Sequence, residues 1–394
     1  MPSKSVSTPA ASSTRLRSYD VERCAYYHGV LSARKAETML VRDGDYLLRK
    51  VESSSTNKYV LSVKWKNKPA HIDIEKTSEG SVLMDGTVRW MSVTDLLERL
   101  RDKHLPVTSK GVRLVKAVER SEWEFKQDQL DRKERIGESA FGEVYRAYLI
   151  AGHNKEVAIK CLREVQFNEN NARRLLSEAR LLSQLHHPNI VKFVGVVVNQ
   201  QPITLVTEYA PGGSLQLHLR RHGLQLTVSK REQWCVDAAE AMSYLEDKSV
   251  VHGNLAARNC LLGYNNELLI CDFGWSCKHS AVVERRSYVA VRWLAPETII
   301  SKLYSHKSDV WSYGVLMWEI FSDGRQPYAG LGDSDVCVKV VQQKYRMKPP
   351  MKMPRQYNTI MENCWHHNPE MRPKFSSIRD QIFALVNPPK RKSS

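Results

Sequence analysis

The sequence predicts an α+β protein of two modules in series: a small one around an antiparallel sheet, and a larger one that is strand-rich first and helical afterwards. Three observations carry this. The runs Asp45–Arg49, Tyr59–Trp65 and Ala70–Ile74 lie between amphipathic stretches at Ala33–Val41 and Val93–Lys103, the period-2 signal of strands flanked by the 3.6-period signal of helices. Beyond residue 130 a second set of strand-like runs, among them Val157–Lys160 and Ile203–Tyr209, gives way after Pro211-Gly212-Gly213 to helical periodicity, with Arg231–Asp247 a long apolar-striped helix. A chain of 394 residues with 42% apolar content has room for two to three domains.

Taken in order, residues 1–22 are a Ser/Thr-rich stretch with little to bury, and a disordered tail is expected. The first module spans 23–118, a charged linker 119–129, and the second module 130–385, divided into a small lobe 130–210 and a large lobe 211–385. A basic tail, 386–394, closes the chain; it reads as solvated terminal charge, with a nuclear signal as the alternative.

The formal charge of +16 is spread over both modules rather than gathered in one stripe. That favours acidic or phosphorylated partners over nucleic acid. Eight Cys without a CxxC pair, most of them in apolar runs, read as reduced core thiols and point to the cytosol or nucleus. No apolar run reaches the roughly 18 residues of a membrane span, and Pro2 stands where N-myristoylation requires Gly. No intrinsic membrane anchor is expected.

The first module opens with Tyr26-Tyr27-His28-Gly29 and continues to Tyr46-Leu47-Leu48-Arg49. An Arg ending an apolar strand must find an anion, and a planar guanidinium grips phosphate through two parallel hydrogen bonds. A local carboxylate could also satisfy it. These residues resemble an SH2 domain, whose corresponding motifs read Trp-Tyr/Phe-His-Gly and Phe-Leu-Val-Arg. The resemblance implies phosphotyrosine binding through Arg49, with His71 as a pocket wall. The helix position that usually adds a second Arg is Ala33, and the usual Glu-Ser after the strand is Lys50-Val51, so some donors are missing while Lys50 and Lys58 stand nearby.

The second module carries Ile136-Gly137-Glu138-Ser139-Ala140-Phe141-Gly142-Glu143-Val144, then Val157-Ala158-Ile159-Lys160, a strand with one Lys that needs a buried partner. Glu178, on the apolar-faced stretch Ala172–Leu185, is that partner by position. Further on come Val251-His252-Gly253-Asn254-Leu255-Ala256-Ala257-Arg258-Asn259 and Asp272-Phe273-Gly274. These stretches resemble a protein-tyrosine kinase, and SH2 followed by kinase, with Glu122-Trp123 at the junction, resembles the Fes/Fer group of non-receptor enzymes. The resemblance implies ATP held by Ile136, Gly137, Ser139, Gly142, Val144, Ala158, Lys160, Leu261 and the hinge residues Thr207, Glu208 and Ala210. It implies magnesium on Asn259 and Asp272, and Arg258 as the mark of tyrosine specificity. Buried Glu297 and Arg372 are expected to pair.

The sequence departs from the family at functional places. Gly253 and Asn254 replace the Arg and Asp of the His-Arg-Asp motif, and an amide cannot accept the substrate proton as that Asp does. The activating Tyr aligns with Glu284 in a short loop, which leaves Tyr288 as the candidate phosphosite. Relatives carry a long N-terminal F-BAR region; this chain has only a short tail there, so recruitment through phosphotyrosine partners is expected. Two functions follow. One is a phosphotyrosine-binding adaptor that holds Mg·ATP with impaired catalysis, a pseudokinase; the other is a competent kinase acting on protein tyrosine.

Overall fold

The computed structural model describes residues 21, 24–52, 57–76, 82–84, 88–90, 92–120, 123–139, 142–150, 154–162, 169–198, 202–282 and 290–387. The chain divides into two units that part between Glu124 and Phe125.

In the first unit the described strands form one sheet in the order β1 (Tyr27–Val30), β2 (Asp45–Glu52), β3 (Asn57–Trp65), β4 (Lys68–Lys76), β5 (Val82–Met84) and β6 (Val88–Trp90), with β7 (Lys116–Ala117) sharing the β1 edge of β2. β1 and β7 run parallel to β2, and the remaining neighbours are antiparallel. Two helices cover the sheet. α1 (Ala33–Met39) starts where Ser32 Oγ accepts the Lys35 N–H, and α2 (Val93–Asp102) where Ser92 Oγ accepts from Asp95, each cap satisfying one orphan donor.

Alternation along β2 sorts the two faces. Tyr46 and Leu48 join Leu61, Val63, Leu96, Leu97 and Leu100 in the main core, whereas Leu47 packs with Ala36 of α1 and with Leu40 just past its end. Because side chains repeat every two residues, Arg49 shares the α1 face with Leu47.

The second unit begins with a five-stranded antiparallel sheet in the order β11-β12-β10-β9-β8, comprising β8 (Leu130–Ser139), β9 (Gly142–Leu149), β10 (Lys155–Leu162), β11 (Phe193–Val197) and β12 (Thr204–Glu208). One face carries the core residues Ala147, Leu149, Val157, Ile159, Cys161 and Val206. The register Val144↔Lys160 and Ala158↔Thr207 puts Val144, Ala158, Lys160 and Thr207 together on the opposite face. α3 (Glu169–Leu182) packs against β11 and β12.

The remainder is helical: α4 (Leu215–His222), α5 (Val228–Asp247), α6 (Pro296–Ser301), α7 (His306–Phe321), α8 (Asp333–Val341), α9 (Arg355–Cys364) and α10 (Phe375–Val386). α5 is buried almost all round and packs on α7 and α10, which is why its apolar stripe reads so broad. The expected pair forms: Arg372 reaches Glu297 through Nη1–Oε1 at 2.7 Å and Nη2–Oε2 at 2.9 Å. Trp311 lies beneath Arg372 and Arg346, their guanidinium carbons 5.1 and 4.4 Å from its ring centre, so the buried charge also gains a cation–π contact.

Candidate functional site

The first unit buries the guanidinium of Arg49. Arg49 is 5% exposed; its Nε donates to Ser62 Oγ at 2.9 Å and its Nη1 to the Leu31 carbonyl at 3.1 Å. No carboxylate lies within ion-pair distance of it among the described residues. Burial pulls its pKa down, and Asp73 and Glu37 act the other way from farther off. A buried guanidinium held by neutral acceptors, with donor capacity left over, is prepared for an external anion.

Leu47, Ser62 and His71 face one another across β2, β3 and β4. His71 Nδ1 meets Ser62 Oγ at 3.0 Å and Nε2 meets Glu37 at 3.2 Å, so Ser62 bridges His71 and Arg49. Lys58 also lies on the Arg49 face, opposite Val51, and pairs with Asp73 at 3.4 Å. Lys50 does not join them. It follows Arg49 in the strand and therefore points to the other side of the sheet. Ser62 and Glu37 went unread; the available signal was a lone Ser inside the apolar run Val60–Val63.

In the second unit a buried ion cluster joins β10, α3 and the Asp272–Trp275 turn. Lys160 Nζ donates to Glu178 Oε2 at 2.8 Å and Asp272 Oδ1 at 3.0 Å. Burial pushes the Glu178 pKa up. For Asp272 burial is the largest influence and opposes ionisation, but the Lys160 charge and hydrogen bond, His252 and the Asn254 hydrogen bond together outweigh it and keep the pKa low, and the two acids in turn hold Lys160 protonated. Glu178 Oε1 takes the Phe273 N–H at 3.2 Å, and Arg174, one turn earlier, lies over Trp275 at 4.3 Å from its ring centre. α3 is thus tied to the Asp272–Trp275 turn at both places.

Gly142 sits where a Cβ would lie 2.1 Å from the Cys161 carbonyl oxygen, so that position excludes any other residue. Ser139 Oγ donates to the Gly142 carbonyl at 3.2 Å and closes the β8–β9 turn; Ala140 and Phe141 lie outside the described residues, and Ile136 and Gly137 sit on β8 before the turn. At the hinge, the Glu208 N–H donates to the Lys192 carbonyl and the Ala210 carbonyl accepts from Gly213. The Glu208 carbonyl also accepts from Thr207 Oγ1 at 3.3 Å. Leu261, in the strand Cys260–Leu262, is half-buried below.

The loop 252–259 is hung from α7. Asp309 accepts the N–H groups of His252 at 2.7 Å and Gly253 at 2.8 Å, and Gly253 has φ +70°, a backbone that glycine adopts without strain. His252 Nδ1 accepts from the Asn254 N–H, so its Nε2 carries the proton given to the Cys271 carbonyl at 3.1 Å. Asn254 Nδ2 donates to Asp272 Oδ2 at 2.9 Å, Arg258 Nη2 donates to Asn254 Oδ1 at 3.3 Å, and Asn259 Nδ2 donates to the Asn254 carbonyl at 2.6 Å. Arg258 lies over Trp293, 4.1 Å from its ring centre.

Two residues that sequence reasoning gave no role also support this loop. Asp309 is one. The other is Glu319 on α7, whose Oε2 accepts from the Ala257 N–H and Trp293 Nε1, both at 2.9 Å. Burial pushes its carboxyl up to about 7. Arg292, in the shelf before Trp293, anchors to the carbonyls of Pro327, Tyr328 and Leu331 and to Asp333. Glu284 and Tyr288 lie outside the described residues.

The donor set fits magnesium. Asn259 keeps its side-chain oxygen as an acceptor beside Asp272, and these are hard oxygen ligands. Among the described residues no three His, Cys, Asp or Glu form a metal cage by themselves.

Comparison with known proteins identifies both modules. A model described as protein tyrosine and serine/threonine kinase matches residues 130–382, and the SH2 domain model matches 26–100. Fer-related kinase 1 of Caenorhabditis elegans is 36% identical over 371 residues, covering 92% of this chain and 94% of that protein. The transforming tyrosine-protein kinase Fps of Fujinami sarcoma virus is 37% identical over 366 residues, 92% of this chain but 41% of the viral protein. Rat tyrosine-protein kinase Fer is 34% identical over 365 residues, 91% of this chain and 44% of Fer. The chain thus spans nearly all of one relative and under half of the others. It belongs to the Fer/Fes family of tyrosine kinases, an SH2 domain followed by a kinase domain with a β-rich small lobe and a helical large lobe.

Proposed function

We propose that the chain binds tyrosine-phosphorylated proteins through its SH2 domain (23–118) and Mg·ATP through its kinase domain (130–385), with phosphoryl transfer impaired at the base position. The observation that carries this is the state of Asn254. Its Nδ2 is given to Asp272 and its Oδ1 is taken by Arg258, and an amide has no lone pair basic enough to take a hydroxyl proton.

The division of labour follows from the contacts. Lys160, held by Glu178, meets the nucleotide phosphates, while the β8–β9 turn covers them and the Glu208 carbonyl and Ala210 N–H receive the adenine between Val144, Ala158 and Leu261. Asn259 and Asp272 would hold magnesium, which when bound neutralises phosphate charge. Arg258, fixed over Trp293, orients a substrate hydroxyl beside Asn254. In the SH2 domain Arg49 takes the phosphate against the His71 wall. We place the protein in the cytoplasm, brought to its partners by phosphotyrosine, with nuclear entry through the basic tail as a subsidiary route and Tyr288 as a site of modification.

Loss of a general base costs about 10²–10⁴-fold in rate, and the intact Lys160–Glu178 pair supports a second reading in which positioning and charge still drive slow transfer to protein tyrosine. Tyrosine-peptide phosphorylation by the purified protein beside Asn254→Asp decides between them. Impaired catalysis predicts a variant at least about a hundredfold faster; equal rates mean that the parent is a competent kinase.

A further inference from the structure

We propose that Asn254 acts as a built-in substitute for the divalent cation, clamping Asp272 and Asn259 so that ATP binding depends little on magnesium. The inference deepens the nucleotide-binding role above and rests on it.

Asn254 hydrogen-bonds through its own groups to both residues proposed as metal ligands: its Nδ2 donates to Asp272 Oδ2, and its carbonyl accepts from Asn259 Nδ2. Arg258 sets the direction of the amide. A guanidinium can only donate, so the side of Asn254 facing Arg258 must be oxygen, and the side facing Asp272 must then be the NH₂ group. The result is an unbroken hydrogen-bond chain, Arg258 to Asn254 to Asp272 to Lys160 to Glu178, in which two cations face two carboxylates.

Asp272 shows why the clamp matters. Its backbone is left-handed, φ 66° and ψ 64°, a conformation disfavoured for a residue with a Cβ. Both carboxylate oxygens are engaged, Oδ1 by Lys160 and Oδ2 by Asn254. An Asp at position 254 would place a second carboxylate against Oδ2, where two like charges in hydrogen-bond contact cannot both stay ionised unless a cation lies between them. With Asn the acceptor is filled by a neutral donor and the loop holds its shape without metal.

The test uses the full chain, Asn254→Asp and Asn254→Ala, each with EDTA or with magnesium chloride at matched ionic strength. Melting without nucleotide comes first. Magnesium alone should move the parent by less than about 1 °C, whereas Asn254→Asp should melt lower in EDTA and recover by at least about 3 °C with magnesium. Asn254→Ala, which deletes the amide without adding charge, should gain the same response in smaller measure. A parent-like response in both variants overturns the clamp.

Titration with a fluorescent ATP analogue follows. Chelation should weaken binding to the parent by no more than about threefold and to Asn254→Asp by at least about tenfold, the linkage expected when one site needs the ion and the other does not. A parent that loses the analogue as steeply as the variant overturns the proposal. If none of the proteins binds the analogue even with magnesium, the nucleotide-binding reading falls, while the metal-alone melting still decides the clamp.

Discussion

Arg372 and Glu297, 75 residues apart, meet through two parallel hydrogen bonds of 2.7 and 2.9 Å, and Arg372 is 1% exposed. The same guanidinium donates to the carbonyls of His366 and Lys307, so it is fully committed to joining the loop after α9 to α6 and α7. Truncating one partner strands the other charge and leaves those carbonyls short of donors. Arg372→Met should destabilise the kinase domain by about 3–5 kcal/mol, read from denaturant unfolding; a loss under about 1 kcal/mol would show a surface-like pair.

Arg49 is buried with no carboxylate within ion-pair distance among the described residues, which is why the role proposed for it is in binding a ligand rather than in the fold. Arg49→Ala should lower phosphotyrosine-peptide affinity by roughly a hundredfold or more, the loss of two charge-assisted hydrogen bonds. The SH2 domain should keep or raise its melting temperature, because a poorly compensated buried cation has been removed. A large drop in melting with unchanged affinity would reassign Arg49 to structure.

Glu319 makes stability pH-dependent. Its folded pKa of about 7 stands above the ordinary 4.5 because the carboxyl is buried. The folded state keeps a proton that the unfolded chain releases between those values, so the contribution is fully present below about pH 4.5 and is lost as pH rises through about 7. A shift of this size is worth on the order of 3 kcal/mol. Glu319→Gln keeps an acceptor for Ala257 and Trp293 and cannot ionise, so it should flatten the decline and melt above the parent near pH 8. Parallel melting curves for the two proteins across this range would contradict the assignment.

Much of the site was legible in the chain itself. Lys160 among apolar neighbours announced a buried partner, and the amphipathic face of α3 supplied Glu178. Arg49 at the end of an apolar strand announced an anion. Lys50 misled because proximity in sequence was taken for proximity in space, while strand alternation sends adjacent residues to opposite faces. Ser62 and Glu319 stayed silent because a lone polar residue in an apolar run carries no mark of what it supports, and Asp309, in the polar stretch Ser305–Asp309, because its partners lie more than fifty residues away in the chain.

By itself the sequence determined the α+β class, the order of the two domains and the positions where the catalytic loop departs from its family, since these reside in local periodicity and contiguous motifs. That Asn254 lacks a base was readable from its chemistry. That its amide is a donor to Asp272, oriented by Arg258, was decided only in three dimensions. The direction of an amide depends on which group stands on either side of it, and those groups come from the loop and from a turn 18 residues further along the chain.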